Sequence, residues 1–138
     1  MKVFFDTNVL IAAFISHGAC TELFEHCLSE HRICLSQEVL GELEEKLTGK
    51  LAFPEEKVKE VLSFLRENAE VLPSGILPSP VSRDPDDDLI LASALGGKAD
   101  CLVSGDKDLL VLEKVPGLPI ISPGDFWRFE KRRGRKRR

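Results

Sequence analysis

Short apolar runs alternate along the chain with segments that have a helical period. Runs rich in Val, Ile, Leu, Phe and Cys occupy residues 2–5, 32–35, 101–103 and 119–121, with a shorter one at 71–72. Continuous apolar runs of this length are typical of strands buried on both faces of a sheet. Between them, apolar residues recur every three or four positions, which predicts amphipathic helices. Strands that alternate with helices predict a three-layer α/β/α fold with a central parallel sheet of four or five strands.

The helix boundaries follow from capping residues and breakers. We expect the first helix to begin at Val9, with Thr7 or Asn8 as its N-cap. The other helices are predicted at residues 21–29, 36–48, 54–70, 86–95 and 108–110, and after Pro123. Residues 1–130 are predicted to form a single domain and residues 131–138 a basic C-terminal tail.

Acidic residues recur where predicted strands end and on nearby helices. Asp6 and Asp106 follow strands, Glu42 borders the apolar face of a helix, and Asp88 lies in an aspartate-rich helix start. Ligand sites of parallel α/β sheets lie beyond the carboxyl ends of the strands, so these side chains are expected to meet. Crowded carboxylates repel by about 4 kcal/mol per pair at ~4 Å and an effective dielectric near 20, before screening. A hard divalent cation offsets this repulsion, and we expect the four acids to hold Mg²⁺ or Mn²⁺.

Each of these acids also has a simpler structural explanation. Asp6 and Asp88 suit the N-termini of helices, where free amide groups favour negative charge. Glu42 fits a solvated helix face, and Asp106 fits a turn. None of these roles explains why the acids recur at the same predicted edge of the sheet.

Charge is distributed unevenly along the 138 residues. The whole chain has a net charge of −4, but seven of its 19 basic residues lie in residues 131–138. Residues 1–130 therefore carry 12 basic and 23 acidic residues, a net charge of −11. Such an acidic body is unlike a general nucleic-acid-binding surface, whereas the tail either contacts phosphates or is simply solvated.

The sequence shows no sign of a membrane or secretory setting. No apolar run approaches the roughly 20 residues needed to cross a bilayer, and the first residues lack the apolar core of a signal peptide. We therefore expect a cytoplasmic protein that has no membrane partner and whose four cysteines are reduced. A zinc site drawn from the histidines and cysteines of residues 17–34 is the alternative, but Cys20 and Cys27 lie at helical spacing on one apolar face. We favour a core role for these two cysteines.

Four short motifs occur in a characteristic order. They are Asp6-Thr7-Asn8, Glu42, Asp88-Leu89-Ile90-Leu91-Ala92 and Ser104-Gly105-Asp106-Lys107-Asp108. The chain to about residue 129 resembles the PIN-domain nucleases, and most of all their stand-alone prokaryotic type (VapC-like), the toxin component of toxin–antitoxin pairs. The basic tail lies outside the resemblance.

The resemblance implies a PIN-like fold and a metal-dependent endoribonuclease that hydrolyses RNA phosphodiester bonds, with RNA, an antitoxin and a second copy of the chain as partners. It implies Asp6, Glu42, Asp88 and Asp106 as the catalytic, metal-binding acids. It also implies that Asn8 and Ser104 orient these acids, that Asp108 is an extra carboxylate and that Asp87 assists Asp88. Thr7 matches the motif without an assigned role. For RNA contacts we name the basic residues Arg83, Lys46, Lys50, Arg132 and Arg133.

Two other function classes stay open at this point. A phosphoryl-transfer protein of another doubly wound family would use an aspartate nucleophile and a lysine, but no lysine follows a predicted strand where it is needed. A catalytically silent module would bind RNA or an antitoxin without cleavage, but it would have no reason to keep four mutually repelling acids. The sequence does not distinguish a toxin from an RNA-processing enzyme, or one metal ion from two.

Overall fold

A parallel sheet forms the centre of the protein. The computed structural model describes residues 1–75, 77, 85–112, 114–115 and 117–136. In this part of the chain six strands lie in the order β3-β2-β1-β4-β6-β5, and all neighbours are parallel except β5 and β6. The strands are β1 (Lys2–Phe5), β2 (Arg32–Ser36), β3 (Glu70–Leu72), β4 (Cys101–Val103), β5 (Lys114–Val115) and β6 (Leu118–Ile121). The predicted three-layer α/β/α fold with a central parallel sheet is confirmed.

Seven helices accompany the sheet within the described residues. They are α1 (Thr7–Ile15), α2 (Ala19–Glu30), α3 (Gln37–Thr48), α4 (Glu55–Asn68), α5 (Pro85–Gly96), α6 (Lys107–Leu110) and α7 (Phe126–Lys136). Helix α3 packs against α1, α4 and α5, and α5 also packs against β2. Helix α7 continues across residue 130, where the sequence suggested the start of a tail. No helix in this part of the chain is long and apolar enough to cross a bilayer.

The central strands are buried because the protein covers both faces of the sheet. Val3, Phe4 and Phe5 are fully buried in succession, so neighbouring side chains that point to opposite faces both lie in the core. The same is true of the whole of β4. This explains why the strands appear in the sequence as continuous apolar runs instead of alternating ones.

The strand register defines two edges of the sheet. Phe5 is paired with Val103, so β1 and β4 end side by side; we call this the carboxyl edge. Residues that precede the strands, such as Met1 and Asp100, lie at the opposite amino edge, where the amide of Lys2 donates to the carboxylate of Asp100 over 2.7 Å. The four to five residues of a central strand separate the two edges.

Candidate active site

Asp6 lies at the carboxyl edge, where β1 turns into α1. The register that pairs Phe5 with Val103 brings Asp6 beside Ser104, the residue after β4. Asp6 is 6% exposed; its Oδ2 accepts a hydrogen bond from Oγ of Ser104 over 2.7 Å. Its Oδ1 accepts one from the amide of Thr7 at the same distance. The N-cap of α1 is therefore Asp6, and the expected cap at Thr7 or Asn8 is wrong because Thr7 is already in the helix.

Thr7 connects Asp6 to Glu42. Its side chain is buried, and its hydroxyl donates to Oε2 of Glu42 on α3 over 3.0 Å. The other oxygen of Glu42, Oε1, lies 3.0 Å from Nζ of Lys46, one helical turn further along α3. Lys46 also donates to Oδ1 of Asn8 over 3.1 Å. The start of α1 and the middle of α3 are thus joined by polar contacts around two acids.

Ser104 connects Asp6 to Asp106 in the same way. Its Oγ donates to Asp6 and accepts a hydrogen bond from the amide of Asp106 over 3.0 Å. Oδ1 of Asp106 in turn accepts from the amide of Asp108 over 2.8 Å and caps α6. Asp6, Glu42 and Asp106 therefore share one polar network in which Asp6 is central.

The network is electrostatically unfavourable as a set of bare carboxylates. Burial raises the pKa of Asp6 above its ordinary value of 3.8, and the charges of Glu42 and Asp106 raise it further. The hydrogen bonds from Ser104 and from the Thr7 amide lower it but do not cancel the increase. A cation beside Asp6 would remove the penalty, and oxygen ligands are those that Mg²⁺ and Mn²⁺ prefer.

Helix α5 brings three further aspartates in its first turn. Asp87 is 7% exposed and Asp88 is half-buried, whereas Asp86 is exposed. Asp87 lies on the same face of α5 as the fully buried Leu91 and Ala94, so it points toward the core. Of the two candidates, Asp87 is the more buried, and a buried carboxylate gains most from a cation beside it.

A groove of about 540 Å³ lies between α3 and α5. Its lining includes Glu42 and Lys46 from α3 and Asp86 and Leu89 from α5. Leu89 is 41% exposed there, which is high for a large apolar side chain. The groove reaches Glu42 and gives an extended ligand access to the carboxyl edge.

The four predicted acids are farther apart than the ligands of an occupied metal site. All four belong to the described residues, and no three of them have ligand oxygens within 4.8 Å of one another. The structure brings Asp6, Glu42 and Asp106 into one network. It places Asp88 in the first turn of α5, a helix that packs against α3. The oxygen donors suit a hard cation, whose binding would draw them closer together.

The basic residues predicted to contact RNA are dispersed. Lys46 lies at the site through its contact with Glu42, and Lys50 is exposed just beyond the end of α3. Arg132 is exposed on α7, whereas Arg133 forms an ion pair with Asp100 at the amino edge. Arg83 lies outside the described residues.

Two features escaped prediction from the sequence. The role of Thr7 depends on contact with a residue 35 positions away, although its place in the motif was a signal. The second is a cluster of His26, His31 and Glu130, whose members come from α2, the residue before β2, and α7. The zinc site considered from the sequence shares His26 and His31 with this cluster, but none of its cysteines belongs to the cluster.

Comparison with known proteins agrees with this architecture. A family model described as PIN domain matches residues 2–108. Among curated proteins, no sequence matches the chain significantly.

Three solved structures share the fold. VapBC2 from Rickettsia felis, bound to a DNA fragment from its promoter, is 18% identical at a TM-score of 0.65, covering 88% of this chain and 98% of that one. VapBC-1 from nontypeable Haemophilus influenzae is 17% identical at a TM-score of 0.63, covering 90% and 99%. The PIN domain endonuclease Utp24 is 27% identical at a TM-score of 0.52, covering 88% and 84%.

Proposed function

Because the chain belongs to the PIN domain family, we propose that it is a metal-dependent endoribonuclease that acts at the carboxyl edge. The observation that carries the proposal is the network in which Thr7 and Ser104 connect Asp6 to Glu42 and Asp106. The similarity to Utp24, which is described as an endonuclease, supports phosphodiester cleavage.

We assign the metal ligands to Asp6, Glu42, Asp106 and an aspartate of α5. For the last of these, burial favours Asp87, whereas the resemblance pointed to Asp88. A bound Mg²⁺ or Mn²⁺ would supply an activated water and offset the negative charge of the scissile phosphate. Because every assigned donor is a carboxylate oxygen, the site suits a hard ion such as Mg²⁺ or Mn²⁺.

The protein's own groups hold these acids in place. Ser104 keeps Oδ2 of Asp6 turned toward β4, and Thr7 holds Oε2 of Glu42 toward Asp6. Lys46 neutralises Oε1 of Glu42 in the absence of a cation. If a bound cation took over that task, the Lys46 ammonium would be available to a phosphate in the groove between α3 and α5.

The proposal is tested by cleavage of a mixed-sequence RNA with and without EDTA and added Mn²⁺. We expect cleavage only with the divalent ion, and a loss of more than about 100-fold in Asp6→Asn, since even residues behind metal ligands affect activity by 10–100-fold. Glu44→Gln, an exposed α3 acid outside the network, serves as the control and should cut like the wild type. Cleavage in EDTA, or at the wild-type rate by Asp6→Asn, would contradict the proposal.

For partners, we propose an antitoxin protein and a second copy of the chain. The antitoxin is supported by the two similar structures, VapBC2 and VapBC-1, which are toxin–antitoxin complexes. This agrees with the resemblance of the sequence to the toxin components of such pairs. An apolar surface on α1 and α4 is available for contact, with Ile15 48% and Phe64 39% exposed beside Phe14.

The oligomeric state tests the second part of this proposal. Light scattering should give a dimer mass for the wild type and a monomer mass for Ile15→Glu. Val111→Glu, which alters a more exposed apolar residue after α6, should leave the dimer intact. A monomeric wild type would contradict the dimer.

A further inference from the structure

Three side chains at the amino edge point their ligand atoms at one another. Nε2 of His26 and Nε2 of His31 each lie 2.6 Å from the same atom, Oε2 of Glu130. Among the described residues, these three form the one group of three or more His, Cys, Asp or Glu residues whose ligand atoms all lie within 4.8 Å of one another. His26 lies near the end of α2, His31 directly before β2, and Glu130 on α7.

We propose that His26, His31 and Glu130 form a binding site for Zn²⁺. Two imidazole nitrogens and one carboxylate oxygen are a donor set that zinc takes in proteins, with bonds of about 2.0–2.2 Å. Donors around a tetrahedral ion at that bond length stand roughly 3.3 Å apart. Each Nε2 now lies 2.6 Å from Oε2 of Glu130. Each of these two distances therefore needs to increase by less than ~1 Å to admit the ion.

The surroundings of the cluster hold the rings in position for a metal. The ring of His26 packs on Trp127 with centroids 4.8 Å apart, and His31 packs edge-on to the buried Phe126 at 6.0 Å. The nitrogen of Met1 lies 3.3 Å from Nδ1 of His31, on the side of the ring away from Glu130. Ligands that are fixed beforehand lose little freedom when an ion binds, and such outer contacts orient metal-binding imidazoles.

The site has room for the ion and for its remaining ligand. A cavity of about 410 Å³ opens onto the cluster, lined by all three side chains together with Met1, Glu30 and Arg133. The positive charge of Arg133 is already neutralised by Asp100, so it does not oppose a cation. A water molecule in the cavity would complete a four-coordinate ion.

Metal binding also fixes which ring nitrogen carries the hydrogen. In the metal-free cluster each Nε2 lies within hydrogen-bond distance of Glu130, whereas zinc needs the Nε2 lone pair. Each ring therefore carries its hydrogen on Nδ1 in the bound form.

This site differs from the candidate active site in its location and in the metal ion that its donors prefer. It lies at the amino edge, a strand length away from Asp6, and its imidazoles favour zinc over the Mg²⁺ that suits the carboxylates. Its bound ion would connect α2, the start of β2 and α7, and so fasten the C-terminal helix to the domain. The role is structural, and it does not depend on whether the carboxyl edge cleaves RNA.

The test is a calorimetric titration of the EDTA-treated full chain with Zn²⁺ alone. We expect one ion per chain with a Kd below about 1 μM, which corresponds to roughly 8 kcal/mol of binding free energy. His26→Ala and Glu130→Gln should each weaken binding at least 100-fold. His17→Ala, which changes an exposed histidine outside the cluster, should bind like the wild type, and so should Asp6→Asn.

Substituting Co²⁺ for Zn²⁺ gives a second readout that does not depend on affinity. A tetrahedral Co²⁺ spectrum is expected in the wild type and in Asp6→Asn, and its absence is expected in His31→Gln. If His26→Ala or Glu130→Gln fails to fold, as judged by circular dichroism, the spectrum of folded His31→Gln decides. Failure of the wild type to bind Zn²⁺, or unchanged binding in these variants, overturns the proposal.

Discussion

At the scale of single residues, Thr7 joins the two halves of the candidate site. Its amide donates to Asp6 and its hydroxyl to Glu42, so one residue orients two acids from different elements. Its side chain is 1% exposed, so no solvent replaces the hydroxyl when it is removed. Thr7 is therefore a positioning residue whose effect should appear through Glu42.

We predict that Thr7→Val lowers the affinity for Mn²⁺ and the rate of cleavage by about 10–100-fold, the range for residues behind metal ligands. Valine has nearly the same shape, so the fold should persist, although Glu42 loses a donor. Thr7→Ser keeps the hydroxyl and should recover most of the loss. Equal Mn²⁺ affinities for the valine variant and the wild type would show that the hydrogen bond has no such role.

At the scale of elements, the orientation of the first turn of α5 determines which of its aspartates is placed to act as a metal ligand. Asp86, Asp87 and Asp88 differ in burial because a helix turns each successive residue by about 100°. Asp87 faces the core, and Asp86 faces the groove toward α3. The three acids are adjacent in sequence but occupy three different environments.

We predict that Asp87→Asn reduces Mn²⁺-dependent cleavage by more than about 100-fold, whereas Asp88→Asn and Asp86→Asn reduce it by less than about 10-fold. Single-turnover rates at saturating Mn²⁺ measure the difference. Because the three variants remove the same charge from the same helix turn, each controls for the others. The reverse order, with Asp88→Asn the inactive variant, would return the assignment to the one that the sequence suggests.

The sequence predicted the elements where burial is continuous or a cap is strong. The four-residue strand β1, the cap of α3 by Ser36 and the order of strands and helices follow from local pattern. The strand β5 was missed because it has only two residues and pairs antiparallel with β6, which leaves almost no periodicity to detect. The start of α1 was placed two residues late because Asp6 serves both as a helix cap and as a site residue.

The contacts between distant residues were beyond the reach of local pattern. Four acids could be expected at one edge because strand ends share that edge, but which α5 aspartate is buried depends on how the helix packs. His26 and Glu130 are 104 residues apart and meet only because α7 returns to the amino edge. Nothing in the spacing of the histidines indicates Glu130 as their partner.

At the scale of the whole molecule, stability and the proposed catalytic role make opposite demands on the carboxyl edge. The raised pKa of Asp6 means that its ionised form opposes folding when no cation is present. The contribution of Asp6 to stability is therefore most favourable below about pH 4 and is lost as the pH rises through its folded-state pKa. The ionised carboxylate of Asp6 therefore lowers the stability of the metal-free protein at neutral pH.

We predict that Asp6→Asn is more stable than the wild type in EDTA at pH 7, by about 1–4 kcal/mol, the repulsion of two unit charges at ~4 Å between bulk water and an effective dielectric near 20. The difference should shrink toward pH 4, where Asp6 becomes protonated in the wild type. Urea denaturation at the two pH values measures it, with Glu44→Gln as the control. A less stable Asp6→Asn at pH 7 would contradict the repulsion.

The two proposed sites, one at each edge of the sheet, can be distinguished by the metal ion that each prefers. Hard carboxylates at the carboxyl edge suit Mn²⁺, and the imidazole pair at the amino edge suits Zn²⁺. A variant at one edge should therefore leave the other edge unchanged, because a full strand length lies between them.

The most direct measurement is the binding of Mn²⁺ to the full chain, followed by electron paramagnetic resonance of the free ion. We predict saturable Mn²⁺ binding in the wild type and in Glu130→Gln, and its loss in Asp6→Asn and Glu42→Gln. Undiminished Mn²⁺ binding by both carboxyl-edge variants would contradict a shared cation at Asp6, Glu42 and Asp106.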